Sequence, residues 1–159
     1  MKLAVIGSRS FHDYDWLELC LLRSFRIADI EAVITGGAQG ADALAARFAS
    51  LHSIPLTVIA ADWALHGKKA GPIRNTDIVR QCDALAAFWD GHSAGTRDSI
   101  AKARTAGKRM FVYPCSPAAL PLPDVSASRI SEKSSVDPES RRRGEARQLL
   151  FSDILFPER

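Results

Sequence analysis

Five short apolar runs, each followed by a stretch of helical length, constrain this chain more than any other feature. The runs are residues 2–6, 32–35, 55–59, 84–88 and 109–113. They are rich in Ala, Val, Ile, Leu and Phe and bounded by Gly, Asp or Pro, as strands buried on both faces are. The intervening segments carry apolar residues at helical spacing. Strand and helix alternate without exception. That order predicts an α/β fold, a doubly wound parallel sheet of about five strands with helices on both faces.

Local signals place the helices. Asp15 and Glu18 read as a capping box opening the first helix, which turns Leu17, Cys20, Leu21 and Phe25 inward. Residues 41–52 form a second helix on which Leu44, Phe48 and Leu51 recur. Pro55 heads the third strand, where a missing donor is tolerated. Residues 60–71 read as a long loop, with Pro72 opening a helix that runs to about Gln81. The last helix spans about residues 96–106 and stops at Gly107.

The chain of 159 residues fits one domain. Residues 1–113 carry the alternation. Residues 114–159 change character, with Pro114, Pro117, Pro121, Pro123 and Pro138 among many serines. They read as an extended linker, followed by an Arg141-Arg142-Arg143 run and an apolar docking segment near the end. No apolar stretch approaches the ~18 residues of a membrane span, and the apolar part of the N-terminus is too short for a signal peptide. Cys20, Cys82 and Cys115 are widely spaced without CxxC, which suits reduced thiols in the cytoplasm. The four histidines lack metal-ligand spacing, so no metal is assigned. Net charge is +3, with 14 Lys/Arg against 11 Asp/Glu in residues 1–115. That excess suits an anionic small ligand and is too mild to demand nucleic acid.

In a parallel sheet, ligands sit beyond the carboxyl ends of the strands. The unusual loops of this chain all follow strands: residues 7–11, 35–42, 60–75 and 89–97. The second, Thr35-Gly36-Gly37-Ala38-Gln39-Gly40-Ala41-Asp42, joins a strand to a helix with glycines that leave backbone N–H groups accessible. It reads as a phosphate cradle or as a tight turn. The fourth, Gly91-His92-Ser93-Ala94-Gly95-Thr96, repeats the arrangement; Ser93 and Thr96 either cap the helix or donate to phosphate. The third supplies cations, Lys68 before a helix and Arg74 in its first turn, where only a nearby anion favours them. Arg9, just past the first strand, is treated likewise. Asn75 is placed to pair with a base or a backbone group. Trp63 and Trp89 either stack on a base or pack a loop against a helix. Asp42, Asp62 and Asp90 accept from ribose hydroxyls or cap helices and turns. The dinucleotide fingerprint GxGxxG, the Walker A sequence and the GxSxG elbow are all missing.

Taken in order, Gly7-Ser8-Arg9, the octapeptide 35–42, Asp62-Trp63, Gly67-Lys68-Lys69-Ala70-Gly71-Pro72-Ile73-Arg74-Asn75 and Phe88-Trp89-Asp90-Gly91-His92-Ser93-Ala94-Gly95-Thr96 resemble the YspA/YpsA-related branch of the SLOG superfamily. The resemblance covers residues 1–113. It implies a Rossmann-like fold and a nucleotide or nucleotide-derived ligand at the strand ends. Relatives include the Lonely-guy phosphoribohydrolases and the DNA-processing protein of natural transformation. The phosphoribohydrolases carry Pro-Gly-Gly-x-Gly-Thr-x-x-Glu, whose glutamate supports catalysis. Gly95-Thr96 matches, but the glutamate position is Ser99, with Asp98 adjacent.

The expected function is therefore binding or sensing of a nucleotide-like ligand. Its site residues are Gly7, Ser8, Arg9, Gly36, Gly37, Ala38, Gly40, Asp42, Trp63, Lys68, Arg74, Asn75, Trp89, Gly91, Ser93, Gly95 and Thr96. Two alternatives stand beside it. One is an N-glycosidic phosphoribohydrolase, with Arg74 and Asp98 as catalytic candidates. The other is single-stranded nucleic-acid binding, which the balanced charge disfavours. No cofactor is required beyond a bound nucleotide, and the resemblance implies a homo-oligomer.

Overall fold

A computed structural model describes residues 1–116. Five strands form one parallel sheet: β1 (Lys2–Gly7), β2 (Ala32–Thr35), β3 (Leu56–Val58), β4 (Ala84–Trp89) and β5 (Arg109–Pro114). Their spatial order is β3-β2-β1-β4-β5. The helices are α1 (Tyr14–Ser24), α2 (Ala41–Leu51), α3 (Trp63–His66), α4 (Ala70–Gln81) and α5 (Ala94–Thr105), with single 3₁₀ turns at Ile27–Asp29 and Gly67–Lys69. The predicted Rossmann-like architecture is the observed one. The Pro/Ser-rich linker beyond Ser116, the Arg141–Arg143 run and the C-terminal docking segment lie outside the described residues.

Side-chain alternation explains why the central strands are continuously apolar. Leu3 and Val5 of β1 point to the face covered by α1 and α2, where they meet Leu17, Leu21, Ala45 and Phe48. Ala4 and Ile6 point to the other face, against Ile78 and Val79 of α4 and Ile100 and Ala103 of α5. A strand sandwiched this way has no solvent face between its ends, so Leu3 to Ile6 are all apolar and buried. β3 is an edge strand, and its three residues are exposed.

Chain direction places the rim where the loops after the strands meet. The chain builds outward from β1 to β2 and β3, then crosses back to β4 on the other side of β1. The order of connections thus reverses between β1 and β4, which opens a crevice beyond their carboxyl ends. Gly7 ends β1 and pairs with Phe88 in β4. Below the rim, Phe11 stacks on Phe88 at 4.9 Å and Phe88 on Tyr113 at 5.0 Å, anchoring the loop after β1.

Several local expectations are corrected. The N-cap of α1 is Asp13, whose carboxylate accepts from Trp16 N–H at 2.9 Å, so the helix begins earlier than an Asp15 cap requires. Glu18 instead accepts from Tyr14 Oη at 2.9 Å and lies 2.7 Å from His52 Nε2, tying α1 to α2. The buried face of α2 is Ala41, Ala45, Phe48 and Ala49, and Leu51 is exposed. Small residues are needed there because α2 lies close on the sheet. The stretch 60–71 is largely helical. Asp62 caps α3 by accepting from Leu65 N–H, and α4 starts at Ala70. Pro72 is therefore the third residue of α4, still within the turn whose N–H groups lack intrahelical partners. Arg74 is its fifth residue, past the first turn, so the dipole argument for its placement lapses. α5 begins at Ala94, which puts Gly95 and Thr96 inside the helix.

Candidate functional site

The glycine loop after β2 is closed by its own helix. Asp42, in the first turn of α2, is buried, and its Oδ2 accepts from the N–H groups of Gly36 and Ala38, both at 3.1 Å. Burial pushes its carboxyl above the usual aspartate value. The Ala38 hydrogen bond, the Arg74 charge and the Gly36 hydrogen bond oppose that shift without cancelling it. The buried Thr35 hydroxyl beside this carboxylate adds a smaller lowering effect, although it falls outside strict hydrogen-bonding geometry. Gly40 adopts φ +74°, and a Cβ there would collide with the backbone oxygens of Ser8 and Arg9. Ser8 O also accepts from Ala41 N–H at 3.3 Å, locking the loop onto the end of β1.

The loop after β4 is built in parallel. Asp90 accepts from His92 N–H at 2.9 Å and Ser93 N–H at 2.7 Å, a side-chain turn that leads into α5. Its own N–H donates to Ser8 Oγ at 3.1 Å. The Ser93 hydrogen bond chiefly holds the Asp90 carboxyl below the usual range, since it favours the ionised form. Ser93 is the N-cap residue of α5 by position, yet its side chain caps no backbone N–H. Thr96 Oγ1 donates to Ser93 Oγ at 3.0 Å. The first-turn N–H groups of Ala94, Gly95 and Thr96 have no carbonyl available within the helix; the first intrahelical bond is Arg97 N–H to Ser93 O at 3.0 Å.

Arg74 and Asn75 join the two loops. Arg74 Nη1 donates to Gly36 O at 2.8 Å and Nε to Asn75 Oδ1 at 3.1 Å. Gly36 lacks a side chain because Arg74 lies directly against it. Asn75 Nδ2 donates to Gly95 O at 3.3 Å and Asp98 Oδ2 at 2.9 Å. A guanidinium is thereby held between the glycine loop and the start of α5.

Two cavities open on this rim. The first, about 420 Å³, lies at the reversal point above β1 and β4. Gly7, Arg9 and Ser10 form one wall; Ala38, Asp42, Arg74 and Asn75 a second; Asp90, Ser93, Gly95, Thr96 and Ser99 a third. The second, about 400 Å³, lies toward the β3 edge and is lined by Gly36, Gly37, Ala38 and Gln39, by Ala60, Ala61 and Trp63, and by Arg9 and Arg74. All four loops anticipated from sequence meet here.

Other expected residues sit elsewhere. Ser8 is fully buried and serves as a hydrogen-bond hub beneath the rim. Gly40 packs on Ser8, and neither residue lines a cavity. Lys68 and Gly91 are exposed outside both cavities. Trp89 packs against the α4–α5 face and donates to Ser93 O at 3.2 Å. Asp98 is bound to Lys102 Nζ at 2.7 Å and to Asn75, away from the cavity, whereas Ser99 lines it. Ser10, Gln39, Ala60 and Ala61 lie in loops the sequence placed on the rim but were not among its site residues. Their only signal is position, one to four residues past a strand end.

A parallel sheet of order 3-2-1-4-5 with a cavity at its reversal point defines a Rossmann-like α/β architecture. Comparison with known proteins narrows it. Residues 1–66 match the sequence model of the YspA, cpYpsA-related SLOG family, so the resemblance carried by the motifs is shown across that span. The Gene 61 protein of Mycobacterium phage D29 is 42% identical over 81 residues, which cover 47% of this chain and 65% of the phage protein. DNA processing protein A (DprA) from Streptococcus pneumoniae shares the fold with a TM-score of 0.60 at 17% identity, over 74% of this chain and 52% of that one. The chain thus spans about half to two thirds of the length of these relatives. Among the described residues no helix is long and apolar enough to cross a membrane.

Proposed function

We propose that this chain binds a nucleotide or nucleotide-derived ligand at the carboxyl ends of its parallel strands. The observation that carries the reading is the open first turn of α5, facing a cavity of about 420 Å³ that Arg9 and Arg74 also line. Unpaired N–H groups and the positive end of the helix dipole suit a phosphoryl group. Arg9 and Arg74 supply charge and directed donors. Asp42 and Asp90 suit ribose hydroxyls, which can donate to carboxylates. Gly95 has nothing within 4 Å of where a Cβ would stand, so a side chain there enters the cavity without disturbing the fold. Calorimetric titration with AMP, GMP, NAD and ADP-ribose tests the reading. Saturable binding by the natural chain and its loss in Gly95→Leu, with unchanged thermal unfolding, are the expected results. No heat from any of the four compounds would overturn it. The same reading includes a cytoplasmic homo-oligomer; light scattering checks the assembly.

A second reading is N-glycosidic hydrolysis of a nucleoside monophosphate. It draws support from Asp42, a buried cavity carboxyl with raised proton affinity, the property of a general acid. Release of ribose 5-phosphate supports it. Absence of turnover at high enzyme concentration ends it.

A further inference from the structure

The two cavities differ in charge although they share a wall. In the first, Arg9 and Arg74 are balanced by Asp42 and Asp90. The second is lined by the same two arginines and by no acidic residue. Arg9 makes no hydrogen bond or ion pair among the described residues. Arg74 uses Nε and one Nη1 hydrogen on Asn75 and Gly36, and a guanidinium has five N–H donors in all. The partition between the cavities therefore concentrates unspent donors, with the Arg74 charge shared with Asp42 and the Arg9 charge unpaired among the described residues. It lies beside the open first turn of α5, because Asn75 links Arg74 to Gly95 O.

The far end of the second cavity has a different character. Trp63 is 56% exposed and lines it together with Ala60 and Ala61. The indole lies across Gly71, where a Cβ would stand 3.5 Å from its ring. An aromatic plate this exposed, beside small apolar residues, offers a stacking face for a planar ring. Each cavity falls in the roughly 300–1,000 Å³ range of small-ligand pockets.

Resting on the nucleotide reading above, we infer that one ligand spans both cavities: a pyrophosphate-bridged compound with a sugar or nucleoside at each end. One phosphoryl group lies on the first turn of α5 and the other between Arg9 and Arg74. One end fills the cavity holding Asp42 and Asp90, and the ring of the other stacks on Trp63. A mononucleotide leaves one cavity empty.

Titration with AMP, ADP-ribose and NAD against the natural chain and Trp63→Ala tests this. The pyrophosphate-bridged compounds are expected to bind the natural chain at least tenfold more tightly than AMP, with that advantage falling below threefold in Trp63→Ala. Because Trp63 is exposed, the substitution leaves the core intact. AMP binding as tightly as ADP-ribose and NAD, or a Trp63→Ala loss shared equally by all three, overturns the two-cavity ligand and leaves the nucleotide reading standing. Absence of binding by all three overturns the two-cavity ligand, and absence of GMP binding as well overturns both.

Discussion

The two glycine loops on this rim look alike in sequence and do different work. Each joins a parallel strand to a helix, and each folds its backbone around an aspartate of its own, Asp42 in one and Asp90 in the other. In the first loop the glycines make room for protein. Gly36 admits Arg74, and Gly40 admits the backbone of Ser8 and Arg9. In the second, Gly91 and Gly95 have nothing within 4 Å of a built Cβ. A glycine packed against its own chain is explained by the fold. Gly91, outside both cavities, is explained by its φ of +82°; Gly95 faces empty space at a cavity wall and needs another reason, which the proposed ligand supplies.

That contrast predicts its largest effect at Gly40. A valine there meets the positive φ and the backbone of the β1 loop together. Gly40→Val should destabilise the chain by about 3 kcal/mol or more, read by chemical denaturation. A loss below about 1 kcal/mol would show that the first loop is not held by packing. Gly37 gives a poorer test of ligand binding, because a Cβ there stands 2.7 Å from Val58 Cγ1 at φ +68°. Losing the fold and losing the ligand would be confounded at that position.

The aspartates come next. Asp42→Ala strands two backbone N–H groups, one buried and one part-buried, and should cost about 2 kcal/mol. Asp42→Asn keeps an acceptor and removes the buried charge. The folded state holds the Asp42 proton more tightly than the unfolded chain does, because its carboxyl value is raised. Its contribution to stability is therefore full below the ordinary aspartate value and declines as pH rises through the raised one. Asp42→Asn should abolish that decline and be at least as stable as the natural chain at neutral pH. A variant that is less stable at neutral pH and more pH-sensitive would refute the burial argument.

Asp90 has the opposite sign. Its carboxyl value is lowered, so its contribution is present above the ordinary aspartate value and is lost as pH falls through the lowered one. Asp90→Ala should cost about 1 kcal/mol, the usual scale for a lost side-chain cap, and should remove a step from the acid limb of the stability profile. An unchanged acid limb would mean that the His92 and Ser93 hydrogen bonds contribute little in solution.

The fold was legible in the sequence because its evidence is repeated. Five apolar runs and the segments between them tell one story, and errors at single caps do not alter it. The site was legible only as a set of loops. Strand ends named the rim on which the cavities open, and Arg9, Arg74, Asn75, Gly95 and Thr96 line one of them. What each loop does with its N–H groups depends on where Asp42 and Asp90 point, a three-dimensional fact that spacing does not carry. Ser8 shows the same limit. A polar residue after a strand reads as a ligand contact, yet here it is consumed in holding Asp90 N–H and Ala41 N–H. Trp89, open in the sequence between stacking and packing, packs: as the last residue of β4 its side chain follows the alternation of the strand onto the α4–α5 face.

The smallest expected effect sharpens the comparison most. Gly95→Ala adds one methyl group inside a helix, at a position where nothing obstructs it. On backbone grounds alone it should stabilise the chain by about 0.5 kcal/mol, since alanine loses less conformational freedom in a helix than glycine does. The same methyl group stands at the cavity wall beside the open N–H groups of α5, so nucleotide affinity should fall while the melting temperature rises. The paired change has opposite signs, which neither a damaged fold nor a merely surface position produces. Gly36→Ala provides the control: its methyl group displaces Arg74 from Gly36 O, so stability and binding should fall together. If Gly95→Ala raises stability and leaves nucleotide binding untouched, the second loop is a turn like the first, and the anion site has to be sought at Arg9 and Arg74 alone.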